Sequence, residues 1–201
     1  MATNKGKTPG FLLVLMQPPP VLEDEFNVWY DTEHVPERAA VPGFRTALRF
    51  VCVDGHPRYL AMYDLDSFAV LESEAYKRVA YDRSSPWTKR VTSRVRIYRS
   101  AGDQIHAGKT GTTGRATRVR LLRFRSLQPA DGKAIIAGVR AQYDDLPEVT
   151  QTRVLAFDAG HAGIDYLGFI EAKAPIAKPL DPKAFGTHAD ALDLVNTYAP
   201  Y

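Results

Sequence analysis

"CVDGHPRYLAMY" (residues 52–63) reads as two short strands around a turn, because Asp54-Gly55 is a hairpin signal flanked by β-branched and aromatic residues. The pattern returns as "AFDAGHAGIDYLGF" (156–169), with Asp, Gly-His and then Tyr-Leu at nearly the same offsets. "AVPGF" (40–44) and "DLPEV" (145–149) precede the two hairpins at matching places. An internal duplication of about 90 residues accounts for both coincidences.

Working outward, "FLLVLMQ" (11–17) is a continuous apolar run, as in a strand covered on both faces. "LEDEFNVWYDTEH" (22–34) follows three prolines and carries acids in its first turns, so it is expected to be a helix. Strands over 44–53 and 58–65, a helix from Asp66 or Ser67 to about residue 80, and an alternating strand over 91–99 complete a β-α-β-β-α-β order. The second half predicts a strand over 118–126, a helix over 132–143, strands over 149–158 and 164–172, a helix over 183–195 and a short terminal strand. The expected division is a flexible N-terminus (1–10), a first repeat (11–100), a linker (101–116) and a second repeat (117–201). "AGKTG" (107–111) in that linker is like a phosphate loop, but position 103 is Asp where the motif needs Gly. A four-stranded sheet with both helices on one face leaves its other face bare. A second copy in the same chain would cover it, and the space between the two sheets is the expected pocket.

The chain has 201 residues, 45% apolar and 24% charged, with a net charge of +3, which is ordinary for a globular protein. Lys89, Arg90, Arg94, Arg96 and Arg99 are interleaved with Val91, Val95 and Ile97, a strand with one apolar face rather than a nucleic-acid patch. Cys52 is the single cysteine, so no internal disulfide forms and a reducing, cytoplasmic setting is expected. Phe11–Met16 is too short to span a membrane and lacks a signal-peptide cleavage site, so no membrane partner is expected.

The chemistry concentrates in "FNVWYDTEHVPERAAVPGF" (26–44). Phe26, Tyr30 and His34 are spaced i, i+4, i+8 on one helix face, with Asn27 and Asp31 beside them. His34 is expected in the last turn before Pro36 breaks the helix, where the negative helix end favours its protonated form. Asp31 and Glu33 would add to that effect. A tunable imidazole beside a pocket moves protons near neutral pH, while the plainer alternative is a surface helix cap. The second half lacks the "TEHVPER" segment, which fits one intact and one degenerate site better than a structural need for His34.

Phe26, Trp29-Tyr30, His34 and Pro36, followed by "PRYLAMYDL" (57–65), resemble the signature of EthD-like proteins in the dimeric α+β barrel superfamily. The resemblance implies an α+β fold: two tandem ferredoxin-like βαββαβ repeats forming an intramolecular pseudo-dimeric α+β barrel. It further implies a small-molecule enzyme, since that superfamily includes polyketide cyclases, lactone isomerases, cofactor-free monooxygenases and haem-binding enzymes. The expected activity is proton-transfer chemistry, as a lyase, cyclase or isomerase, on a small aromatic, phenolic or polyketide-like compound, without metal or cofactor. His34 would transfer the proton, Asp31 or Glu33 would orient it, and Tyr30 and Arg38 would stabilise an oxyanion. Phe26 and Trp29 would form the apolar wall with Asn27 adjacent. Tyr59, Tyr63 and Arg94 would either line the barrel interior or pack under a helix. The alternatives are a cofactor-free or haem-linked monooxygenase and a non-catalytic small-molecule-binding barrel. Fusion of two repeats removes the need to dimerise, yet exposed sheet edges leave a homodimer open.

Overall fold

The computed structural model describes residues 8–109, 111–160 and 163–201; most of the expected N-terminal segment and His161 lie outside them. Among these residues, eight strands close an antiparallel barrel: β1 (Gly10–Gln17), β2 (Leu48–Asp54), β3 (Tyr59–Leu65), β4 (Arg96–His106), β5 (Arg118–Leu127), β6 (Val149–Asp158), β7 (Ile164–Ala172) and β8 (Leu192–Pro200). Their order around the barrel is β1-β3-β2-β8-β5-β7-β6-β4. The two hairpins singled out in the sequence are the β2–β3 and β6–β7 pairs. Two seams join the halves: β2 pairs with β8 (Val51 opposite Ala199), and β4 with β6 (Gln104 opposite Leu155).

Alternation along each strand makes two compartments. Phe11, Leu13, Leu60, Met62, Leu121 and Phe169 point inward and fill the barrel as one core. Each buried apolar side chain of that kind contributes about 1.5–3 kcal/mol. Among the described residues these side chains fill the space between the sheets where the pocket was expected. Leu12, Met16, Tyr59, Ala61 and Tyr63 point the other way, beneath the helices of the first half. β1 is apolar throughout because both of its faces are covered. At one end of the barrel, Arg153 (0% exposed) is held between Asp64 and Glu171 at 2.6 and 3.1 Å, tying β6 to strands of both halves.

The first helical segment departs from its expected ending. α1 (Glu23–Trp29) passes into a π-helical turn (Tyr30–His34) and continues as α2 (Val35–Ala39), so Pro36 does not stop it. Proline lacks an N–H, and its ring clashes with the carbonyl four residues back in an α-helix. The π-turn changes the register, with the Val35 N–H donating to the Tyr30 carbonyl, and places Pro36 in the first turn of the new α-helix, where it is tolerated.

Four other expectations are corrected. The second helix of the first half is broken into short pieces, including α3 (Glu74–Lys77). The strand expected over 91–99 is split: α4 (Pro86–Thr92) takes its beginning, capped by the Ser85 hydroxyl, and β4 starts only at Arg96. β4 then runs to His106, so the first six residues of the expected 101–116 linker are strand, held by β1 and β6. In the second half α5 (Gly132–Tyr143) matches its expected span, whereas residues 182–191 form 3-10 turns, with β8 beginning at Leu192. No helix among the described residues is long and apolar enough to cross a membrane.

Candidate active site

A cavity of about 250 Å³ opens between the helix-facing side of β1 and β3 and the helical layer of the first half. Leu12, Val14, Met16 and Trp29 give it apolar walls; Tyr30, Tyr63 and Tyr76 bring phenol rings. His34, Arg38, Lys89 and Arg99 are the basic groups on its lining, which carries no carboxylate.

His34 reaches this cavity because the π-turn moves it onto the inner side of the helix, against Trp29 and Tyr30, with ring centroids 4.6 and 4.9 Å away. The side chain is half-buried, and its Nδ1 is buried with no hydrogen-bond partner among the described residues. Burial, reinforced by the Arg38 and Arg49 cations, pushes its pKa down to about 3, from an ordinary 6.5. The protonated His34 expected at a helix end is thus replaced by a neutral imidazole, since the helix does not end there and burial, with the Arg38 and Arg49 cations, disfavours the charge.

Arg38 is 5% exposed. One of its nitrogens donates to the Val79 carbonyl at 2.7 Å, and the guanidinium lies 5.3 Å from the Tyr76 ring centroid. Among the described residues no carboxylate forms a salt bridge with it. A buried cation lacking a counter-ion is unfavourable on its own and favours an anion nearby. The Tyr30 and Tyr63 hydroxyls share a hydrogen bond of 3.1 Å, and burial raises both pKa values, that of Tyr30 to about 12, so both phenols stay protonated.

The remaining expected site residues have other partners. Asp31 pairs with Arg49 rather than with His34. Glu33 accepts from Ser85 Oγ at 2.5 Å and Thr88 Oγ1 at 2.9 Å; Thr88 in turn accepts from Trp29 Nε1 at 3.0 Å. This chain fixes the Trp29 wall against α4, so Glu33 acts on the indole's support and not on the imidazole. Phe26, Asn27 and Tyr59 sit behind the cavity with Arg49, whose guanidinium lies 4.5 Å from the Tyr30 ring centroid and 4.0 Å from that of Tyr201. Asn27 donates to the Tyr59 hydroxyl at 3.0 Å and accepts from Arg49 at 2.6 Å. Tyr59 and Tyr63 both pack under the helix, and only Tyr63 meets the cavity. Arg94 lies in the exposed turn after α4, off the cavity.

Sequence reasoning missed Tyr76, Thr88, Lys89 and Arg99. Lys89 and Arg99 belong to the basic run near residue 90, but their convergence on one cavity depends on α4 and β4 being distinct elements. Tyr81, at the cavity edge, is 64% exposed and has φ +55°, a left-handed conformation uncommon for a side chain of its size. In the second half, the face under α5 is packed with Phe124, Val139, Tyr143, Ile170 and Phe185. Among the described residues no group of three or more His, Cys, Asp or Glu side chains converges as a metal site would require.

Fold and cavity together define an α+β barrel with a pocket beneath the helices of one half. Several solved structures share this fold. An anthrone oxidase-like protein aligns over 98% of this chain and 92% of its own, with a TM-score of 0.68 and 15% identity. A protein assigned as a monooxygenase from Lactobacillus acidophilus aligns over 97% and 94%, with a TM-score of 0.56 and 9% identity. A chlorite dismutase mutant from Candidatus Nitrospira defluvii aligns over 97% and 93%, with a TM-score of 0.51 and 9% identity. At these identities the likeness is one of fold. No family model matches the chain, and no curated protein matches it in sequence.

Proposed function

We propose that the chain is a cofactor-independent enzyme that moves a proton on a small aromatic, phenolic or polyketide-like compound. The observation that carries this reading is the pairing, on one cavity, of a neutral His34 with a buried Arg38 that forms no salt bridge among the described residues. His34 accepts a proton from an acidic O–H or C–H of the substrate. The oxyanion formed is stabilised by Arg38 and by the Tyr30–Tyr63 hydroxyl pair. The same oxyanion offsets the cation repulsion that, after burial, helps to hold His34 neutral, so the imidazole becomes more basic as the anion forms. Trp29 and the β1 side chains supply the apolar wall. Return of the proton at another atom, or loss of a leaving group, would make the reaction an isomerisation, cyclisation or elimination.

A second reading, oxygenation of the same anion by a cofactor-free monooxygenase, is favoured by the likeness to an anthrone oxidase-like protein over nearly the whole chain. The EthD-like assignment and the origin of the barrel in two ferredoxin-like repeats belong to this proposal. They are supported by the His34 motif and by the matching orders β2-β3-β1-β4 and β6-β7-β5-β8. A cytoplasmic setting is part of the same reading.

The test is a mass-spectrometric screen of phenolic and polyketide-like metabolites with wild type and His34→Gln. Conversion by the wild type alone supports the reading, and the mass change separates isomerisation from loss of water or gain of oxygen. Equal conversion by both proteins removes His34 from the chemistry.

A further inference from the structure

The cavity lining divides by depth. Arg38, Tyr30 and Tyr63 are buried at its floor, with 5% exposure or less. Lys89, Arg99 and Tyr81 are exposed and form its mouth. Lys89 Nζ donates to the Asp82 carbonyl at 2.6 Å, which holds the ammonium against the rim without neutralising it. Among the described residues neither Lys89 nor Arg99 forms a salt bridge. Some neighbouring exposed cations are paired, Arg90 with Glu25 and Arg83 with Glu74, but what distinguishes Lys89 and Arg99 is that both lie on the cavity lining. Unneutralised positive charge therefore sits at two depths of one aromatic-walled cavity, and no acidic side chain lies on its lining.

From this we infer that the substrate carries two acidic groups rather than one: an aromatic hydroxy acid or its close analogue, with a permanent carboxylate at the mouth and a phenolic or enolisable oxygen at the floor. The inference rests on the proton-transfer reading of the site and narrows its substrate class. A neutral phenol would satisfy Arg38 once ionised but would leave Lys89 and Arg99 unused. A carboxylate at the mouth takes charge-assisted hydrogen bonds from both. Steering by these two exposed groups also raises the encounter rate for an anion and weakens with salt. The cavity volume of about 250 Å³ confines the ligand to a small ring system.

The experiment compares 4-hydroxycinnamate with its methyl ester, which has the same ring and hydroxyl but no carboxylate. Binding is measured by calorimetry to wild type, to Lys89→Gln/Arg99→Gln, and to Lys133→Gln/Lys183→Gln. The last pair changes two exposed lysines of the second half and so carries the same change in net charge. The expected result is at least tenfold tighter binding of the acid than of the ester by wild type and by the control variant. That preference disappears in Lys89→Gln/Arg99→Gln, whose ester affinity stays within twofold of wild type. The inference is overturned if the ester binds as well as the acid, if neither binds, or if both double variants lose the preference equally. Such a result leaves the proton-transfer reading standing, because that reading is judged separately by conversion with His34→Gln.

Discussion

The hydroxyls of Tyr30 and Tyr63 lie 3.1 Å apart, joining the π-turn of the long helix to β3 beneath the cavity. Both side chains are 1% exposed, so each hydroxyl depends on the other. In Tyr63→Phe the Tyr30 hydroxyl stays buried without that partner, and stability is expected to fall by about 1–3 kcal/mol. Urea denaturation measures this; an unchanged midpoint would show that the bond contributes nothing.

His34 makes stability depend on pH in a definite direction. Its folded pKa, about 3, is below the ordinary 6.5, so the unfolded chain binds more protons at this site between those values. The contribution is fully present above about pH 6.5 and is lost as pH falls towards 3, by at most about 1.4 kcal/mol per pH unit. His34→Gln is expected to lose stability more slowly than wild type over that window. Parallel acid-unfolding curves for the two proteins would contradict the buried, neutral imidazole.

The same neutrality predicts the shape of the activity profile. Once a substrate is known, kcat/KM should show no inflection near pH 6.5 from the free enzyme, because His34 is already deprotonated there. Replacement of His34 by Gln should lower kcat by about 10²–10⁴ if it is the general base. An acidic limb centred near 6.5 in the wild type, abolished in His34→Gln, would restore the ordinary surface histidine.

At the far end of the barrel, Arg153 stands between Asp64 and Glu171 with no exposure to solvent. Arg153→Leu leaves two buried carboxylates without their cation and is expected to cost about 3–5 kcal/mol. Burial already pushes the Glu171 carboxyl above its usual range even with Arg153 in place. Raising the acidity of the medium should therefore recover part of the variant's loss by protonating these groups. A variant as stable as wild type at neutral pH would show that the network adds no net stability.

Local periodicity accounts for most of the barrel. The alternating and continuous apolar runs of β1, β6 and β7, the Asp-Gly turn of the first hairpin and the acids that open α1 were legible because each depends on neighbours a few residues away. The pocket's place was not legible, since whether Phe11 or Leu12 faces it depends on which side of β1 the helices cover. Nor could proline's local rule reveal that the helix continues through Pro36. Continuation required a π-turn, and that turn is sustained by packing Tyr30 and His34 against Trp29.

The site divides in the same way. Trp29, Tyr30, His34 and Arg38 were recognisable as a group because they share one short segment. Their pairing partners were not, because Asp31 turns to Arg49 and Glu33 to Ser85 and Thr88, residues that only tertiary packing brings near. Lys89 and Arg99 joined the cavity for the same reason, their two elements converging across the fold. By itself the sequence determined most of the strands, the opening of the long helix and the identity of the imidazole. The tertiary structure decided where that imidazole points and, through burial reinforced by Arg38 and Arg49, that it is neutral.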